Sequence, residues 1–386
     1  MNRNLPRHVW IWQTTVSPHM AGLAIALVKH GCCVTYVAEQ VMTADRILLG
    51  WSPPLLDDVR LEFASAPASI VRLVASACPD SIHICQGIRS NGLIRLAQKA
   101  LARRRLPQWL VIETVDDAGW RGALKRLEYR RLFMHRRGQV RGVLGIGHST
   151  PGWIVARGMP SNRVFPFAYF LLNHEPARLV SPDRAGRFRF LFVGRLDENK
   201  RLDYLIEALR RMPTPDFELV VVGTGPLEHE LRALAAEALP SRLDWVGRLP
   251  LDAVPSEMAN ADCLVLPSRH DGWGAVVSEA LMAGTPVVCS NSCGSAAVVR
   301  ASGYGSVFAS NDLAAMVSSL SQTMARGHLS SAERKGLSDW AKCLGADAGA
   351  DYLTAIIDHM DGRAPRPLPP WQTAARADCI GPIDGE

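Results

Sequence analysis

Short apolar runs alternate with helix-spaced segments along this 386-residue chain, and the alternation occurs twice. Nothing else constrains the fold as strongly. Strands separated by helices cannot pair through tight hairpins, so they must form parallel sheets covered by helices. The first series predicts strands near 8–14, 33–38, 81–86, 109–115 and 142–147, with helices over 19–30, 91–104 and 121–137. The second predicts strands near 188–193, 217–222, 242–246, 262–266 and 286–289. Between the series, Asn173, His174, Pro176, Ser181, Pro182, Asp183 and Gly186 interrupt any periodicity. The expectation is an α/β chain with a first lobe over 1–170, a linker over 171–187 and a second lobe over 188–340.

Residues 341–360 hold a helical pattern (Tyr352, Ile356, Ile357), and 361–386, with five prolines and no period, read as a loose tail. The chain is 48% hydrophobic and 21% charged, ordinary for a soluble globular enzyme. No apolar run approaches the roughly 18 residues of a membrane helix; Ala21–Val28 stops at Lys29 and His30. Val9–Thr15, where Trp10 and Trp12 alternate, reads as a strand and is too short for a signal peptide. Nine scattered cysteines, an odd number, point to reduced thiols in a cytoplasmic protein. Cys289 and Cys293 lack His or Cys companions, so no zinc site is expected.

The net charge of +6 is concentrated. Residues 121–141 carry Arg121, Lys125, Arg126, Arg130, Arg131, Arg136, Arg137 and Arg141 against the single acid Glu128. Leu124, Leu127, Leu132 and Phe133 interleave with them, so the stretch reads as a basic amphipathic helix. Two readings stand: a solvated face, or a surface for anionic lipid or a phosphate-bearing acceptor. The second places the protein peripherally on the inner face of the cytoplasmic membrane. No nucleic-acid module accompanies the charge, so no nucleic-acid partner is expected.

Two segments carry the chemistry. In residues 266–290 a strand end leads into a loop with Asp271, Gly272, Trp273 and Gly274, then a helix carrying Glu279. The glycines let backbone N–H groups approach a ligand, and the helix turns its positive end to the same place. Glu279 lies about 7.5 Å further along the helix axis. An anion at the loop and a hydroxyl-rich group beside the helix fit that layout, as in a nucleotide diphosphate-sugar. In residues 188–209 a strand ends at Gly194, Arg195 follows, and Lys200 precedes a helix with the apolar stripe Leu202, Leu205, Ile206 and Leu209. Two cations beside a diphosphate would neutralise it and stabilise it as a leaving group; solvated loop charges are the alternative. Gly223-Thr224-Gly225 also lies between a strand and a helix, but Glu228 replaces the third glycine of a dinucleotide fingerprint.

Together these segments resemble the donor-site signature of glycosyltransferase family 4, usually written E-x7-E. Asp271 replaces the first Glu, while Gly272, Gly274, Glu279, Ala280, Gly284 and Pro286 keep the pattern. The resemblance implies a GT-B fold: two Rossmann-like lobes facing each other across a cleft, with the terminal helix crossing back to the first. It implies transfer of a sugar, with retention of configuration, from a nucleoside diphosphate sugar; the basic helix alone points to a glycan or lipid-linked acceptor, as in cell-surface polysaccharide synthesis. Donor-binding residues would be Gly194, Arg195, Lys200, Gly272, Trp273, Gly274 and Glu279, with Asp271, Arg195 and Lys200 catalytic. No cofactor and no metal are expected, since no Asp-x-Asp motif ends a strand. Gly223-Thr224-Gly225 fits the family's turn beneath the donor site. A nucleotide-sugar isomerase on the same fold and a dinucleotide-dependent oxidoreductase are the alternatives.

In the first lobe the pattern departs from the family. Thr14–His19 fills the loop where a glycine pair is common, and Glu113–Trp120 stands where a histidine usually follows the fourth strand. His19, Glu113 and Asp116 are the candidate acceptor-side residues. The carboxylates Glu113, Asp116 and Asp117 either orient acceptor hydroxyls or cap a helix.

Overall fold

Strand β1 (His8–Thr15) is buried on both faces from Val9 to Trp12, as the central strand of a helix-covered parallel sheet must be. It pairs in parallel with β2 (Cys33–Gln40) and, on its other side, with β4 (Ile82–Gln86). The computed structural model describes residues 7–43, 47, 52–89, 92–172, 186–213 and 216–377. The remaining strands of this sheet are β3 (Arg60–Phe63), β5 (Gln108–Glu113), β6 (Val140–Ile146) and β7 (Val164–Phe167), in the order β3-β2-β1-β4-β5-β6-β7. Every pairing is parallel.

The helices of this unit are α1 (Pro18–Lys29), α2 (Pro67–Ser76), α3 (Gly92–Arg103), α4 (Gly119–Arg136) and α5 (Thr150–Val155). The second sheet, also wholly parallel, is built from β8 (Phe188–Val193), β9 (Phe217–Val222), β10 (Leu243–Gly247), β11 (Cys263–Leu266), β12 (Val287–Ser290) and β13 (Gly305–Phe308). Its order is β10-β9-β8-β11-β12-β13. Strand order reverses between β1 and β4 in the first sheet and between β8 and β11 in the second. Those reversals leave crevices at the C-terminal strand ends.

Helices α6 (Leu202–Arg210), α7 (Glu228–Ala238), α8 (Val254–Ala259), α9 (Ala275–Met282), α10 (Ala296–Ser302), α11 (Leu313–Arg326) and α12 (Ser331–Ala341) belong with the second sheet. The expected stripe of α6 is its buried face: Leu202, Leu205, Ile206 and Leu209 are at most 1% exposed and pack with Phe190, Phe192 and Phe217. Each such side chain contributes about 1.5–3 kcal/mol of burial.

The described residues up to 47, with 52–172 and 345–369, form one unit; those of 173–344 and from 370 onwards form the other. Helix α13 (Ala346–Met360) is therefore part of the first unit. Its first N–H donates to the Leu171 carbonyl (2.8 Å), the Tyr352 hydroxyl donates to the Pro166 carbonyl (3.0 Å), and the Tyr352 ring stacks on Phe167 at 5.9 Å.

The segment read as a loose tail differs from that expectation. Arg366 lies 4.3 Å over the Phe165 ring and donates to the Asn162 (3.2 Å) and Val164 (2.5 Å) carbonyls. Helix α14 (Pro370–Ala377) buries Trp371, 6.1 Å from the Trp273 ring. Two large side-chain anchors hold a proline-rich segment that has no period to reveal them. Residues 378–386, and most of the expected linker (173–185), lie outside the described residues. Among the described residues all eight cysteines are free, no helix is long and apolar enough to cross a membrane, and no three His, Cys, Asp or Glu side chains gather as metal ligands.

Candidate functional site

The second sheet's crevice is bounded by the loops that follow β8 and β11, which carry the singled-out residues of this lobe except Glu279, in α9, and the turn after β9. Gly194 extends β8, its N–H donating to the Val222 carbonyl at 3.0 Å. The Gly223-Thr224-Gly225 turn packs directly against this loop. A Cβ on Gly223, whose φ is +136°, would stand 1.9 Å from the Gly194 carbonyl oxygen, and one on Gly225 would stand 2.3 Å from that of Leu196. The Leu196 N–H donates to the Thr224 carbonyl (3.1 Å), and the Leu227 N–H to that of Leu196 (3.1 Å). These glycines serve backbone-to-backbone packing, which leaves the dinucleotide-dependent alternative without its phosphate loop.

Beyond Gly194 the chain turns on Asp197, whose carboxylate accepts the Asn199 (3.1 Å) and Lys200 (3.0 Å) backbone N–H groups. The turn aims Lys200 inward: its Nζ sits 2.5 Å from an Asp271 carboxylate oxygen, both side chains being largely buried. Arg195 is half exposed, with the Asp197 carboxylate 3.7 Å away. The two loops are tied further by Asn199, whose side-chain amide donates to the His270 carbonyl (2.9 Å) and whose own carbonyl accepts the Arg269 N–H (2.8 Å).

A third loop, 291–295, fixes the Asp271 segment from beneath. The Asp271 N–H donates to the Ser292 carbonyl (3.2 Å), and the Gly294 and Ser295 N–H groups donate to the carbonyls of Asp271 and Trp273 (both 2.9 Å). Gly274 precedes α9 with φ +80°, and a Cβ there would lie 2.7 Å from the Cys293 sulfur. Only glycine fits at that point, and the first turn of α9 opens directly from it.

Within α9, Glu279 is partly buried, and burial pushes its carboxyl up to about 7. No side-chain hydrogen bond or ion pair satisfies that carboxyl among the described residues. Trp273, expected at the donor site through its backbone amide, turns its side chain away from the loop. It is 2% exposed, donates its indole N–H to Ser278 Oγ (3.1 Å) and packs on Trp371, so only its backbone is available to the loop. An indole is the largest apolar body in this loop, and the core claims it.

In the first unit, His19 stacks on Tyr169 (centroids 4.9 Å apart), and the Tyr169 phenol donates to the Glu113 carboxylate. The structure thus joins His19 and Glu113 through a residue that sequence reasoning missed. Tyr169 follows β7, a four-residue strand containing Pro166, too short and irregular to signal itself. Asp116 and Asp117 part from this group. The Asp116 carboxylate accepts the Ala118 N–H (3.1 Å) just before α4. Asp117 pairs with Arg157 (2.5 Å) and accepts the Trp153 indole N–H (2.9 Å). Of the three carboxylates, Asp116 and Asp117 are engaged in local structure.

Residues 176–335 match the family model for glycosyl transferases group 1. The chain is 38% identical over 99 residues to a 2-deoxystreptamine glucosyltransferase of Streptomyces kanamyceticus, covering 25% of this chain and 26% of that one. It is 30% identical over 142 residues to an alpha-D-kanosaminyltransferase of the same organism, covering 34% and 37%. The alignments therefore span only about a quarter to a third of these relatives' length. Among solved structures, the lipopolysaccharide outer core galactosyltransferase WaaB in its apo form superposes with a TM-score of 0.69 at 15% identity, over 92% of this chain and 99% of that one. Anabaena Alr3699/HepE in complex with UDP gives 0.71 at 14% identity, over 92% and 100%. The fold is GT-B, with two Rossmann-like domains.

Proposed function

We propose that this protein is a retaining glycosyltransferase of family 4 type, moving a sugar from a nucleoside diphosphate sugar to a glycan or lipid-linked acceptor in cell-surface polysaccharide synthesis. One observation carries the reading. At the switch point of the second sheet a buried Lys200–Asp271 pair, the half-exposed Arg195 and the unsatisfied Glu279 carboxyl surround a glycine-shaped loop that opens a helix. Arg195 and Lys200 receive the diphosphate and stabilise the charge that grows on it as the glycosidic bond breaks. The Gly272–Gly274 amides and the α9 N-terminus add donors to the same anion. Glu279 accepts the ribose hydroxyls, and Asp271, held by Lys200, orients the hydroxyls of the donor sugar. Gly194 lets the diphosphate approach the backbone. On the first unit, His19 and Glu113, coupled through Tyr169, face the acceptor. The named activities of the relatives above, glucosyl, kanosaminyl and galactosyl transfer, support sugar transfer as the reaction.

Helix α4 supports a peripheral membrane role. Trp120, Leu124 and Leu127 share one face and are 70%, 60% and 66% exposed, while Tyr129 and Phe133 turn into the core. Arg131 continues that face one turn past Leu127, Arg130 stands beside it, and both are exposed, whereas Arg126 and Arg136 bond protein carbonyls. We infer that this face rests on an anionic bilayer that carries the acceptor.

The test is a thermal-shift and kinetic panel of nucleotides and nucleotide-sugars on wild type and variants. Lys200→Ala and Arg195→Ala should each weaken donor binding or turnover by about 1.5–3 kcal/mol, roughly 10- to 100-fold. Glu279→Gln should lower affinity for the free nucleotide, while Asp271→Asn should lower turnover and blur the sugar preference. If the free nucleotide responds more to Asp271→Asn than to Glu279→Gln, the two roles are wrong.

A further inference from the structure

The donor and acceptor groups discussed so far lie beyond the C-terminal ends of strands. At the N-terminal end of β5 and β6 the first unit holds a separate cavity of about 440 Å³. Its wall includes Leu106, Val140 and Met360, and three arginines reach it: Arg105, Arg141 and Arg163. No carboxylate lines it.

Two of the arginines are held in place by the protein. The Arg141 Nη2 donates to the Met360 carbonyl (2.5 Å) and to Asp361 (3.0 Å), and the Arg163 Nη1 donates to the Arg137 (3.2 Å) and Val140 (3.4 Å) carbonyls. Each guanidinium keeps further N–H groups in its fork. Arg105 is different. It is exposed, and its side chain makes no hydrogen bond or ion pair among the described residues.

Its backbone is unusual too. Arg105 ends α3 in the left-handed region (φ +57°), its N–H donating to the Ala102 carbonyl and the Leu106 N–H to that of Leu101. That pair of bonds is a Schellman stop, where glycine is the residue of least strain. A long cation stands where folding alone favours glycine, and it stands at the cavity. Its neighbour Arg104 shows the ordinary alternative, spending its guanidinium on the Ala75 and Ala77 carbonyls (3.2 and 3.1 Å).

We propose that this cavity is a phosphate-recognition site. Three guanidinium groups reach the cavity, and the nearby Asp361 is shared between Arg141 (3.0 Å) and Arg363 (2.6 Å), so positive charge is in excess, as a phosphomonoester dianion requires; guanidinium forks fit phosphate oxygens in pairs. The phosphate belongs either to a free ester or to a lipid headgroup, whose chain would lie along Leu106, Val140 and Met360.

The experiment is calorimetric titration of the full chain at low salt. The Arg195→Ala, Lys200→Ala background removes the phosphate contacts proposed for the second unit. Inorganic phosphate is one probe, and dihexanoyl phosphatidic acid below its micellar concentration is the other. At least one should bind, and Arg105→Gly should weaken it about tenfold or more. The melting temperature should hold or rise, because glycine relaxes the left-handed turn. Tighter binding of the lipid assigns the site to a headgroup; equal or tighter binding of inorganic phosphate assigns it to a soluble ester. Failure of both probes to bind, or binding unchanged by Arg105→Gly, overturns the proposal. So does a fall in melting temperature with binding retained, since Arg105 would then serve the fold alone.

Discussion

Glu279 turns a matter of burial into a matter of pH. In the unfolded chain its carboxyl loses its proton near 4.5, while the folded protein holds it to about 7. Between those values the native state binds more protons than the unfolded one, so this group's contribution to stability falls as pH rises through the window and is constant above it. A ribose hydroxyl donating to the carboxyl favours the ionised form. Nucleotide binding is therefore expected to release a proton near pH 6 and to tighten from pH 5.5 to 8, with Glu279→Gln flattening both trends. Calorimetry with UDP-glucose in two buffers of different ionisation enthalpy measures the proton directly. A diphosphate diester has no titrating group of its own there, so an equal pH slope in wild type and Glu279→Gln would sink the ribose role. Spacing and the family resemblance singled out Glu279, Asp271 and Lys200, and the structure pairs the last two. The sequence could not reveal that Trp273 faces the core, because a loop's side-chain directions follow from the segments packed beneath it, here 291–295 and α14.

At the scale of elements, strands buried on both sides announced themselves and three at sheet edges did not. The short β3, β7 and β13 each end a sheet, and none was expected from the sequence. β3 is mostly exposed and β13 only half buried, so neither carries a buried apolar run, while β7 is apolar but only four residues long and interrupted by Pro166. Helices reveal themselves by their buried face, which is why α6 and α13 were legible. Gly349 in α13 gives this a test. In an isolated helix Gly→Ala stabilises by about 1 kcal/mol. Here a Cβ would stand 2.4 Å from the Phe170 ring. Gly349→Ala is expected to destabilise instead, by roughly 1–3 kcal/mol, as overpacking does. Urea denaturation followed by circular dichroism measures the sign, and a stabilised variant would show that α13 is not seated against Phe170.

For the molecule as a whole, the proposed membrane role of α4 predicts that location depends on ionic strength. Exposed basic residues contribute about 1 kcal/mol each at an anionic surface, within a Debye length of about 8–10 Å at ordinary salt. The protein should sediment with phosphatidylglycerol vesicles at low salt, leave them as salt rises and ignore phosphatidylcholine. Arg121, Arg130 and Arg131 changed together to Gln should abolish sedimentation while sparing nucleotide binding. Equal binding to neutral vesicles, or none at low salt, would make α4 a solvated face and remove the support for a lipid-linked acceptor.

Helix α13 belongs to the first unit but leaves the ribosome only after most of the second. Phe167, Phe170 and the α1 face around Gly22 are complete by Leu172, yet the helix that packs on Phe167 and Phe170 begins only at Ala346. At about 5–20 residues per second, the intervening chain takes roughly 10–35 s to emerge. Through that interval the nascent first unit lacks the helix that packs on Phe167 and Phe170. The second unit's sheet is emitted entire within the same interval, but that unit in turn waits for α14, which begins at Pro370 and sets Trp371 beside Trp273.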